Sequence, residues 1–326
     1  LLSIVYPLLQ SSIKFTDIDS ERILKSLHIG KANIWLYRHL AYGRIHEGIC
    51  DEKLAEILKL LSSKDGGLDV AIEVLSMRLY GAESKEDLSE CILNIGKEII
   101  LHLNFDSDSN KRDNHHEGQI IKICYRGDQG LNTARELCEK LYSNFISYKI
   151  GPYDYEEVIS SLVEVQPKVF LDVFLSNDEV MRRISQIICE KHDILSYIDE
   201  PVIKEWLEYD FEKRGPLFAS IIRPYKFNSD SKEMQWQPFA RWLFENYSNP
   251  VIILDSFKKK FFPTSWSGSY AETISKYVPL ITSLKDHSNI LISEWSVKEI
   301  VVFEEYIRNC REEELSREQE RNERFE

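Results

Sequence analysis

Four places in this 326-residue sequence combine residue types that could do chemistry. The triplet His115-His116-Glu117 is a fragment of a metal-site vocabulary, but a zinc protease helix needs two histidines four residues apart on one face, and these two are adjacent. His39 and His46 are seven apart, which on a helix rising ~1.5 Å per residue separates them by about 10 Å, too far to share one ion; each reads better as a histidine satisfied within the core. Gly127-Asp128-Gln129-Gly130 has the look of a phosphate loop but lacks the Lys-Ser or Lys-Thr that a Walker motif requires, so it reads as a glycine break between helices. Ser267-Gly268-Ser269 is not a nucleophile elbow, because no strand precedes it. Together these positions predict no catalytic residues, no metal ligands and no cofactor.

The elements that would have to position such groups are almost all helical by pattern. Thr16-Asp17 with Asp19 predicts a capped, acidic first turn ahead of Ile23, Leu24 and Leu27. Helices are then expected over about 32–47, from Asp51, over about 68–80 with Gly81 as its stop, and from about Ser84 to Asn104. Residues 106–118 contain no aliphatic or aromatic side chain and read as a solvated loop. Helices resume near Gln119 and run to about Tyr148 with breaks at Gly127 and Gly130; further ones start at Asp154 and at Pro167. From Pro201 onward, Pro201, Pro216, Pro224, Pro238, Pro250, Pro263 and Pro279 each stand near the start of an apolar-periodic stretch. Proline inside a helix costs about 3 kcal/mol, so these are expected to be starts and stops rather than interiors. Trp266 and Gly268 are expected to hold a turn, with Ser269 capping the next helix. From Glu304 to Glu326 acids and arginines alternate at helical spacing with few apolar residues, a helix expected to project from the body or to fray.

Composition narrows the function classes. The chain carries 43% hydrophobic and 29% charged residues, enough apolar material for a sizeable core. Its net charge of −13 argues against nucleic acid as the main partner, since phosphate neutralisation needs Lys and Arg. Cys50, Cys91, Cys124, Cys138, Cys189 and Cys310 form no CxxC pair and fall mostly on apolar helix faces, which predicts reduced thiols in a cytoplasmic protein. No apolar run approaches the roughly 18 residues of a membrane span. The opening segment lacks Met and a basic region, is not a signal peptide, and reads as part of a longer chain.

One region departs from the average. Between Pro201 and Ser265 stand 14 of the chain's 37 aromatic residues, with ten Lys or Arg against eight Asp or Glu inside an acidic protein. Aromatics beside Arg and Lys are what binding hot spots use. The candidate binding residues are therefore Arg223, Trp236, Arg241, Trp242 and the run Lys258, Lys259, Lys260. Filling a helical core is the commoner fate of such aromatics, so both readings of the region stay open.

Three stretches in this order carry a resemblance: Phe211-Glu212-Lys213-Arg214-Gly215-Pro216-Leu217-Phe218 with Ile222-Arg223-Pro224; Phe262-Pro263-Thr264-Ser265-Trp266-Ser267-Gly268-Ser269; and the Arg/Glu-rich end closing on Glu323-Arg324-Phe325-Glu326. They resemble the C-terminal helical-repeat region of bacterial antiviral STAND NTPases of the Avs type. The likeness covers residues 205–326, and the segment from Gly67 to Arg78 is similar in flavour. It implies a repeat array that recognises a phage structural or packaging protein and triggers oligomerisation of a full-length protein whose effector and NTPase precede it. The chain itself lacks a P-loop, so no ATPase residue carries over.

The expectation is an all-α array of antiparallel helix pairs, a HEAT- or TPR-like solenoid with a charged C-terminal helix, divided into N-terminal repeats over 1–150, C-terminal repeats over 151–303 and the charged helix over 304–326. The expected function is non-catalytic recognition of a protein partner, with no membrane association. Its alternatives are a metal-dependent hydrolase with carboxylates and histidines dispersed over several helices, or a helical repeat that reads nucleic acid through Lys258 to Lys260.

Overall fold

A computed structural model describes residues 14–43, 45–80, 88–105, 114–175, 178–192, 194–228 and 233–323. Among the described residues the fold is all-α apart from one two-stranded hairpin. It divides into two compact units, Leu1–Val202 and Ile203–Glu326. The boundary thus falls after Val202 rather than near 150, and no break separates 303 from 304, because a single 34-residue helix, Ile290–Glu323, runs through that point. Gly81, Ser84, the opening segment and the closing Arg324-Phe325-Glu326 lie outside the described residues.

In the first unit, each helix packs on neighbours one to three elements away. Asp51–Ser62 lies against Gly67–Leu79 and against Glu90–Leu101, and His115–Cys124 lies against both Gly67–Leu79 and Glu156–Val165. The apolar spacing read from sequence is the buried spacing: Leu54, Ile57, Leu58 and Leu61 are fully enclosed. At the first helix, Asp17–Ile29, the Asp19 carboxylate accepts from the backbone N–H of Thr16 at 3.1 Å and from its hydroxyl at 2.9 Å.

Two readings in this unit need correction. The stretch expected as one α-helix over 32–47 is instead two 3-10 segments, Ile34–Ala41 and Ile45–Gly48. The loop expected over 106–118 ends earlier than its polarity suggests. Residues 106–113 lie outside the described residues, but helix His115–Cys124 already begins at His115, with Glu117 and Gly118 buried. Polar residues are tolerated there because neighbours satisfy them. The buried Ser76 hydroxyl lies 2.9 Å from His116 Nδ1 and donates to Gln119 Oε1 at 2.6 Å. Gly118 is the contact point with Glu156–Val165, since a β-carbon there would sit 2.9 Å from Ser161 Oγ and 3.1 Å from the Glu157 carbonyl.

The glycine break at 127–130 is held by a side chain distant in sequence. Gln166 is buried, and its amide donates to the Tyr125 carbonyl at 2.7 Å and to the Gly127 carbonyl at 2.8 Å. Gly130 is required there by contact, because any β-carbon would fall 1.9 Å from the Tyr125 carbonyl oxygen.

The second unit is built on aromatic side chains. Its hairpin pairs Tyr225–Asn228 with Glu233–Trp236 in antiparallel register, Tyr225 opposite Trp236. Helical periodicity gave no warning of this strand pair. The prolines behave largely as expected, Pro238, Pro250 and Pro279 each standing in a helix's first turn. Pro216 does not, for it lies inside helix Phe211–Ile221. A proline at that point cannot bond the carbonyl four residues back, that of Glu212. The phenol of Tyr247 donates to that carbonyl at 2.7 Å, and Gly215 clears space for the ring, since a β-carbon there would lie 2.9 Å from Tyr247 Cε2. Burial, with Glu212 beside it, pushes the Tyr247 phenol up to about 12, so it remains a donor across the physiological range.

This arrangement predicts a specific coupling. Tyr247→Phe should cost roughly 0.5–1.5 kcal/mol by removing a hydrogen bond. In a Pro216→Ala background, where the helix can bond the Glu212 carbonyl itself, the same change should cost less. Urea denaturation of the four proteins checks it; equal costs in both backgrounds would show that the phenol does not replace the missing helical bond.

Candidate functional site

The residues expected to bind are distributed between core and surface. Trp236 is a packing residue: its indole N–H donates to the Leu280 carbonyl at 2.9 Å and its ring meets Phe244, Phe257 and Phe261 at centroid distances of 5.4, 6.1 and 6.0 Å. Trp242 stacks on Phe211 at 5.7 Å under the Lys204 ammonium at 4.8 Å. Lys258 is committed to Glu299 at 3.0 Å, a carboxylate that is itself buried. Arg223 and Lys259 are exposed and Lys260 is half-buried. Arg241 forms an ion pair with Glu245 at 2.7 Å, and His287 approaches the same oxygen at 3.2 Å.

A different arrangement emerges where the turn 262–269 meets the long terminal helix. Gly268 takes the left-handed conformation, φ 80°, that lets the chain reverse ahead of helix Tyr270–Ser275. Ser269 caps that helix as expected, its hydroxyl accepting from the Glu272 N–H at 3.0 Å. The same hydroxyl donates to Glu314 Oε2 at 2.7 Å. Glu314 Oε1 accepts from the N–H groups of Tyr270 and Ala271 at 2.7 and 3.1 Å. One carboxylate from the terminal helix therefore takes the first two unpaired donors of the short helix, and Ser269 takes the third. Hydrogen bonding from Ser269, with the backbone N–H groups assisting, holds the Glu314 carboxyl below its ordinary value.

This anchoring shapes an open groove of about 720 Å³. One wall is aromatic: Trp266, half exposed, lies 4.3 Å from the ring of Tyr270, and Tyr306 lines the groove beside them. Desolvation and the hydroxyl of Tyr270 push the Tyr306 phenol up to about 12, which leaves it neutral. The other wall alternates in charge, with Glu313 paired to Arg317 at 3.3 Å, then Glu318 and Arg321. Such a groove offers ring faces, guanidinium groups and carboxylates to a bound surface.

The terminal helix thus packs further than its composition suggests. Phe303 and Ile307 are buried, Cys310 and Glu314 half-buried, and every described side chain beyond Glu314 is exposed. The cysteines divide similarly. Cys124, Cys138 and Cys189 are buried, with burial pushing the Cys138 thiol up to about 12, whereas Cys91 and Cys310 are half-buried and Cys50 is exposed. All six are free.

Among the described residues, no three His, Cys, Asp or Glu converge as metal ligands do, and no helix is long and apolar enough to cross a membrane. No family model matches the chain, and no curated protein or solved structure is significantly similar to it.

Two measurements test the anchor. Ser269→Ala should cost about 0.5–2 kcal/mol of stability by removing a helix cap. Because the folded-state pKa of Glu314 lies below its unfolded value, its contribution is present above an ordinary carboxylate pKa of about 4.3 and is lost as pH falls through the lower folded value. The melting temperature of the wild type should therefore fall more steeply than that of Glu314→Gln below about pH 4.3. Parallel curves would show that the carboxylate's charge is not what holds the turn.

Proposed function

We propose that this chain is a non-catalytic recognition module, a helical array whose groove between Trp266 and Arg321 receives a protein partner. The observation that carries the reading is the pre-formed aromatic and charged groove, fixed by Glu314 before any partner arrives. Pre-organisation matters because ordering an interface on binding costs free energy that a rigid site does not lose. Exposed tryptophan and arginine supply the side chains that most often dominate interface energies. The turn 262–269 and the charged terminal helix, two of the stretches that resemble the antiviral STAND proteins, meet at this groove. On that resemblance the array is a solenoid of helix pairs, the sensor part of a bacterial cytoplasmic antiphage protein, and the partner is a phage structural or packaging protein.

The test is binding of the purified chain to a panel of such phage proteins by biolayer interferometry. One panel member should bind, and Trp266→Ala and Arg317→Glu should each weaken it by at least about 2 kcal/mol while leaving the melting temperature unchanged. No binding by any member would remove the phage assignment. Binding indifferent to both groove variants would move the site elsewhere.

A further inference from the structure

The long helix Ile290–Glu323 has a second unexplained face. Its buried residues, Ile292, Trp295, Ser296, Glu299, Phe303 and Ile307, occupy one side. At about 100° per residue, Val301 falls within about 10° of the line opposite the mean of those six, Ile290 within about 30° and Val297 within about 50°. All three are exposed, Ile290 by 65% and Val301 by 61%, and Leu291 and Val302 on the shoulder of the stripe are exposed as well. A helix whose far side is solvated normally carries polar residues there.

The charges along this stripe say what can cover it. Reading from the N-terminal end, Glu294, Lys298, Glu304, Glu305 and Arg308 run minus, plus, minus, minus, plus, and all five are exposed. Reversed, the order is plus, minus, minus, plus, minus. Laid antiparallel on itself about Val301, the helix therefore brings Glu294 level with Arg308 of the second copy, and Lys298 level with Glu304 of the second copy, one residue from its Glu305. Val301 meets its own equivalent, and Val297 packs beside it. In a parallel pair the same residues would set Glu294 against Glu294 and Arg308 against Arg308, which is repulsive. Among the described residues of one chain, Arg308 makes a long contact with Glu305, 4.0 Å between two well-exposed side chains, which contributes little. The face is thus complementary to itself in one orientation.

We propose that this stripe is a contact between two copies of the chain, paired antiparallel about Val301. The pairing is isologous, so each charge contact occurs twice and a single substitution acts twice. It also leaves the groove at Trp266 outside the contact, so it stands or falls independently of the recognition function. One helix against another makes a small interface, and the dimer is accordingly concentration-dependent.

Sedimentation velocity of the 326-residue chain over a concentration series reads the dissociation constant directly. Glu294→Arg should weaken self-association at least about tenfold, ~1.4 kcal/mol, by setting an arginine against Arg308 at each of the two symmetric contacts. Arg308→Glu should do the same with carboxylates. The double variant Glu294→Arg/Arg308→Glu should regain the wild-type constant. An equimolar mixture of the two single variants should form heterodimers, since each then presents what the other lacks. Circular dichroism confirms that the exposed substitutions leave the helices intact. A wild type that stays monomeric throughout the series overturns the proposal. So does a dimer indifferent to both single substitutions, or one that neither the double variant nor the mixture restores.

Discussion

A helix N-terminus within a folded chain leaves backbone N–H groups that need acceptors, and at Tyr270–Ser275 two of these come from a carboxylate 43 or more residues away in sequence. Much of the second unit's geometry follows from that requirement. Glu314 reaches Tyr270 and Ala271 because Phe303 and Ile307, about three and two turns before it on the same face, seat the terminal helix in the core. The seated helix then stands as the charged wall of the groove, and the turn at Gly268 presents Trp266 as the aromatic wall. The macrodipole of a helix this short is small, so hydrogen bonding to defined donors is the stronger part of the contact.

The same kind of remote satisfaction recurs in both units. Tyr247 supplies the donor that Pro216 removes from its helix, and Gln166 supplies two donors, to the Tyr125 and Gly127 carbonyls, at the glycine break over 127–130. In each case an irregularity that would be costly alone is tolerated because a side chain far along the chain repairs its hydrogen bonding. These repairs tie elements together more specifically than apolar contact does, since a slipped helix would leave the carbonyl or N–H group unpaired at a cost of about 1–3 kcal/mol.

This explains which parts of the structure were legible in the sequence. Local rules sufficed where both partners of an interaction lie within a turn of each other: the Thr16 and Asp19 pair, the Ser269 cap, the first-turn prolines and the apolar faces of most helices. They failed where the partner is distant. Pro216 read as a helix boundary because nothing near it announces Tyr247. His115 to Gly118 read as loop because their partners, Ser76 and the helix Glu156–Val165, belong to other elements. Trp236 read as a binding residue because residue type alone does not reveal that Leu280 takes its N–H. Glu314 was invisible for the converse reason: set among acids and arginines at helical spacing, it looks like every other member of a solvated face.

That last point bears on the recognition proposed for a chain of net charge −13. Net charge governs solubility and repels polyanions, and it acts over distances that physiological salt screens within about 8 Å. Selectivity needs short-range order of sign, with attraction in one register and repulsion in the others. The terminal helix has such order over two stretches. Where the alternation flanks an aromatic wall, from Glu313 to Arg321, it suits a partner with its own complementary pattern. Where it flanks a valine stripe, from Glu294 to Arg308, the complement is the same sequence turned around. A helix that is merely solvated has no need of either arrangement, because randomly mixed charges would keep it as soluble; order of sign, set beside apolar side chains left exposed, is what distinguishes a recognition surface from a soluble one.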